Sequence, residues 1–70
     1  MDLDPPQTGE VYRHHKGGLY VVVCIAMHTE IKDEPMVVYR SSRHGTIHAR
    51  PLFSWLSPTS DGQTRFQRVR

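Results

Sequence analysis

One stretch constrains the fold of this chain more than any other. Leu19-Tyr20-Val21-Val22-Val23-Cys24-Ile25-Ala26-Met27-His28 is apolar and rich in β-branched residues. Tyr12-Arg13-His14-His15-Lys16-Gly17-Gly18 precedes it and Thr29-Glu30 follows. Such a run predicts a central strand buried on both faces. The polar residues at its two ends are then held by the most rigid element of the molecule, and a binding site is expected there.

The rest of the chain arranges itself around that strand. Glu10 to His15 reads as a first strand and Lys16-Gly17-Gly18 as a hairpin turn, because glycine tolerates the positive φ such turns need. After a polar loop over 29–35, Met36 to Ser41 reads as a third strand with Val37 and Tyr39 on one face. Thr46 to Arg50 reads as a fourth, ended by Pro51. Leu52 to Leu56 lies between Pro51 and Pro58 and has room for a single helical turn. Asp61-Gly62 marks a turn, and Thr64 to Val69 alternates into a closing strand. Five short strands with frequent turn signals predict an all-β domain, an SH3-like five-stranded barrel over 9–70. Residues 1–8, with Pro5 and Pro6, are expected to form a flexible N-terminal tail. The expected core is Val21, Val23, Cys24, Ile25, Val38, Leu52 and Phe66.

Size bounds what this fold can do. A 70-residue chain is one domain that buries only about 60% of its unfolded-chain surface. Its core supplies at most about 3–5 kcal/mol. With only 37% hydrophobic residues, pairing with a second copy as a homodimer is a reasonable expectation. Lys and Arg number 9 against 7 Asp and Glu, a net charge of +2. That is too mild to indicate a nucleic-acid protein by itself, yet the second half has a basic bias. One cysteine allows no internal disulfide. Asp2 and Asp4 stand where a secretory signal needs basic residues, and no apolar run approaches the roughly 20 residues of a membrane helix. The expectation is a soluble, cytoplasmic protein with no membrane partner.

Gly9, Tyr12-Arg13-His14, Lys16-Gly17, Tyr20, Ala26, His28, Glu30, Val37-Val38-Tyr39, Arg50-Pro51-Leu52 and Arg65-Phe66 together resemble a family of small bacterial proteins, domain of unknown function 1653. The resemblance covers roughly residues 9–67, with order and spacing kept. It implies a compact SH3-like β domain and carries no activity with it. Two departures stand out. His48 occupies the place of a tryptophan just before Arg-Pro, and Trp55 that of a phenylalanine after Arg-Pro-Leu.

Several constellations could carry chemistry. Tyr12, Arg13, His14, Lys16, His28 and Glu30 flank the long strand. His28 and Glu30 share a face if that strand continues, so the carboxylate could fix the imidazole tautomer and make an acid–base pair. Equally, Glu30 could pair with Arg13 or Lys16 and simply close the barrel. The five histidines give no metal site: His14 and His15 are expected on opposite strand faces, and His44 and His48 lack a helix to align them. Cys24 sits between Val23 and Ile25 with no charge nearby, which suits packing better than reactivity. Arg40, Arg43, His48, Arg50, Trp55, Arg65, Phe66 and Arg68 form a basic, aromatic group. It is either a solvated face over a core or a surface for phosphates and stacked bases.

These readings leave three functions open. The first is a binding module for an anionic ligand, RNA or nucleotide-like, held by Arg13, His14, Lys16 and Arg50 without cofactor or metal. The second is a minimal enzyme, or an enzyme subunit, using His28 and Glu30. The third is a protein–protein adaptor. Arg13, His28, Glu30 and Arg50 are expected to share one cleft at an end of the barrel.

Overall fold

A computed structural model describes residues 5–70. Its elements are β1 (Val11–His14), β2 (Leu19–Met27), β3 (Pro35–Ser41), β4 (Ile47–Pro51), α1 (Leu52–Leu56) and β5 (Phe66–Arg68). The strands form one antiparallel sheet in the order β4-β3-β2-β1-β5. The long apolar run is thus the middle strand, as its composition predicts. β1 and β2 form a hairpin: the N–H of His14 donates to Gly18 O at 2.8 Å, and Gly17 takes a φ of 113° in the turn.

Between Val22, paired with Tyr39, and Cys24, paired with Val38, the register slips by one residue. Val23 is left without a partner, a β-bulge that bends and twists the strand. Paired residues share a sheet face, so the register sorts the chain into two sides. Tyr12, Tyr20, Val22, Val37, Tyr39, His48, Arg50 and Phe66 face inward; Val21, Cys24, Val38 and Ala49 face outward.

The core lies on the inner side alone. Tyr12, Val22, Val37, Tyr39, Trp55 and Phe66 are buried together, with Tyr20 and Leu52 packed against them. α1 begins directly after Pro51 and delivers Trp55 into this cluster. The Trp55 and Phe66 rings stack at 3.7 Å and 4°, while Tyr12 and Tyr39 each meet Trp55 edge-on at 5.1 Å. Such pairs add about 0.5–1.5 kcal/mol beyond their burial, a large share for so small a core.

Two sequence expectations are corrected here. β2 is not buried on both faces: on the outer side Cys24 is exposed and Val21 and Val38 are half-buried, the bulge residue Val23 keeps 40% of its surface, and even Ile25, paired with inward Val37, keeps 39%. The reason is supply, since the five-residue α1 packs on β3 and β4 and covers one side only. The sheet is also not closed into a barrel, because its edge strands β4 and β5 share no ladder. It does curl, however. The Arg50 guanidinium carbon lies 5.3 Å from the centre of the Phe66 ring, although Arg50 is on one edge and Phe66 on the other. The expected tail over 1–8 falls only partly within the described residues. Residues 1–4 lie outside the described residues. Of the rest, Pro6 is fully buried and the Gln7 N–H donates to Glu10 Oε1 at 2.9 Å. No helix among the described residues is long and apolar enough to cross a membrane.

Candidate anion-binding site

Where the two sheet edges approach, basic side chains gather on an aromatic floor. The floor is Phe66. Arg50 lies over its ring, and the His14 ring meets it edge-on at 5.0 Å. A cation over an aromatic face is held there by the ring quadrupole. Arg50 Nε is buried and has no hydrogen-bond partner, and Arg50 makes no ion pair with a carboxylate among the described residues. A half-buried guanidinium left uncompensated is costly. It is the most conspicuous unsatisfied group on this surface.

His14 adjoins it. Its Nδ1 accepts the Lys16 backbone N–H at 3.1 Å, so in the neutral ring Nε2 carries the proton and is a donor. Its pKa is lowered, first by burial and then by the positive charges of His15, Arg50, Arg65 and Lys16. Four cationic or titratable basic groups therefore act on one point, with the Asp61 carboxylate near His15 at its margin. His14 and His15 do not point to opposite faces as expected. β1 ends at His14, and the two rings lie 4.3 Å apart. Arg13, His14, His15 and Gly17 line a shallow hollow of about 410 Å³.

The other side of the floor is aromatic. Tyr20 meets Tyr39 at 5.3 Å and Phe66 at 6.1 Å, both edge-on. His48, paired with Tyr39 across the β3–β4 ladder, stacks on it at 5.5 Å and 27°. Thr46 Oγ1 and His48 Nε2 hydrogen-bond at 2.8 Å, pinning that ring.

Of the residues expected to share a cleft, the fold brings together His14 and Arg50, with Lys16 beside His14 and Arg13 on the adjoining hollow. His28 and Glu30 are elsewhere. Arg13 pairs with Leu19 at one end of β2, and His28 follows Met27 at the other. At about 3.3 Å per residue these ends are roughly 25 Å apart. His28 serves its own loop: Nδ1 accepts the N–H groups of Glu30 at 3.1 Å and Ile31 at 3.0 Å. The Glu30 backbone, rather than its carboxylate, meets the imidazole. Glu30 forms no ion pair with Arg13 or Lys16 either. The ion pair of the inner side is instead Arg68 Nη1 with Glu10 Oε2 at 3.4 Å. Among the described residues no group of three His, Cys, Asp or Glu converges to hold a metal ion.

From sequence, His48 and Phe66 fall in a diffuse basic and aromatic group, and Tyr20 has no site role. The available signal was the spacing His48-x-Arg50 on an edge strand, which puts both side chains on one face.

Residues 10–69 match the family described as Protein of unknown function (DUF1653). The chain belongs to this family. The match covers every strand and the helix, including His14, His48, Arg50 and Phe66. No curated protein and no solved structure matches the chain.

Proposed function

We propose that this DUF1653 protein is a small SH3-like binding module that holds an anionic, phosphate-bearing ligand at Arg50 and His14. The observation that carries the reading is the Arg50 guanidinium, stacked on Phe66 with a buried Nε and no acidic partner. An oxyanion supplies what Arg50 and His14 lack: acceptors for the guanidinium fork and negative charge beside Lys16 and Arg65. His14 Nε2–H gives a second donor beside the fork. The SH3-like reading draws support from the strand order, from the single helical turn before β5, and from the Val23 bulge, which lets β2 bend between its β1 and β3 neighbours.

Trp55, the single tryptophan, stacks directly under Phe66 and reports on the site by its fluorescence. Titration with inorganic phosphate and with ribose 5-phosphate is expected to change that emission saturably, with affinity falling as salt rises. Arg50→Ala is expected to weaken binding about tenfold or more, since a hydrogen bond to a charged group contributes about 1.5–3 kcal/mol. His28→Ala leaves it unchanged. Equal binding by Arg50→Ala, or no saturable response from either probe, refutes the site.

A further inference from the structure

Resting on that anion site, we infer that its ligand is a nucleotide whose base lies on His48 while its phosphate occupies the Arg50–His14 corner. His48 and Arg50 are two residues apart on edge strand β4 and pair with Tyr39 and Val37, both buried on the inner side. Their side chains therefore stand side by side, about 7 Å apart along the strand. That spacing suits a ligand with an anionic end and a flat aromatic end joined by a sugar.

His48 is built as a platform rather than left as a loose surface residue. One ring face rests on Tyr39, and its edge is tied to the Thr46 hydroxyl. The residue is nonetheless exposed, so part of the ring remains available to a planar partner. Tyr20 stands edge-on to the His48 ring at 6.2 Å and to His14 at 6.3 Å, walling the gap between base position and phosphate position. Stacking tolerates every base, because each has a π face, and contributes about 1–3 kcal/mol per base. The platform thus selects for a nucleotide over a bare anion without choosing a particular base. The same chemistry is offered by a free mononucleotide and by one residue of a single-stranded RNA.

The test compares ligands that share a phosphate and differ in the base. By Trp55 fluorescence, AMP is expected to bind about five- to hundredfold more tightly than ribose 5-phosphate, the range that stacking of one base allows. His48→Ala is expected to bring AMP down to the affinity of ribose 5-phosphate while leaving the latter unchanged. His48→Trp is expected to keep the preference. His48 is exposed, so its replacement does not endanger folding. Equal affinity for AMP and ribose 5-phosphate, or a preference that survives His48→Ala, overturns the base position while the anion site stands. Failure of every phosphate probe to bind overturns both. A short oligoadenylate that displaces AMP at equal or lower concentration identifies a strand as the ligand. One that fails to displace it identifies the free nucleotide, and either result upholds the platform.

Discussion

The two sides of the sheet are made from similar residues and have different fates. The inner side buries Val22, Val37, Tyr39 and Phe66 beneath Trp55. The outer side carries Val21, Cys24, Val38 and Ala49, equally apolar by composition, yet Cys24 and Ala49 are exposed and Val21 and Val38 only half-buried. The difference lies in the aromatic rings and the helix. Tyr12, Tyr39, Trp55 and Phe66 all converge inward, where each ring finds another within about 6 Å. A chain of this length has one layer of material to place over its sheet, and Trp55 decides where it goes. An apolar sequence makes a strand, but only a covering element makes a core.

The largest test of that contrast is Trp55→Ala. Removing a buried aromatic costs about 3–5 kcal/mol, comparable to all the stability such a core supplies. The variant is expected to be unfolded at 25 °C by circular dichroism, and a folded, cooperative Trp55→Ala protein would break the asymmetry. Next in size is a neighbouring pair on β3. Val37, fully buried, is expected to lose about 2 kcal/mol on replacement by alanine, while half-buried Val38 loses less than half as much. Ile25→Ala falls between the two, at about 1.5 kcal/mol, because 39% of its surface is already in water. Urea midpoints of the three variants give the ranking, and equal losses at Val37 and Val38 would mean that both sides are covered in solution.

The smallest expected effect concerns pH. His14 has its pKa lowered in the folded protein, by burial and then by neighbouring positive charge. Its neutral form therefore favours folding. The associated stability is present above the unfolded value of about 6.5 and is lost as pH falls through the lowered folded value. Melting temperatures measured from pH 8 to pH 5 should decline for the natural protein and decline less for His14→Gln. Phosphate in the buffer should flatten the natural protein's decline, because an anion at Arg50 stabilises protonated His14. A His14→Gln profile parallel to the natural one would remove His14 from the basic corner.

The sequence was a sound guide to what local chemistry controls. Pro51 and Pro58 bracket the helical turn at Leu52–Leu56, Gly17 and Gly18 set the first hairpin, and Val37 with Tyr39 marks the inner face of β3. It was a poor guide to what depends on covering and curvature. Nothing in the run Val21 to Ile25 says that one side will lack a second layer, so Cys24 and Val23 read as core. The candidate site suffered from the same limit. His14 and Arg50 are far apart in sequence and lie on non-adjacent strands, and only the curl of the sheet brings both to Phe66. His28 and Glu30 were attractive because they are close in sequence, and that closeness is used up in closing their own loop.

The bulge at Val23 separates two properties that strands normally link. Deleting that residue would leave Cys24 opposite Val38 and Ile25 opposite Val37, so every later side chain would keep its side of the sheet. What the chain would lose is the bend, and with it the approach of the Arg50 edge to the Phe66 edge. Val23 is thus dispensable to the pairing grammar of this protein and indispensable to its shape. A relative one residue shorter at this point would keep its inward and outward alternation and still hold Arg50 away from His14 and Phe66.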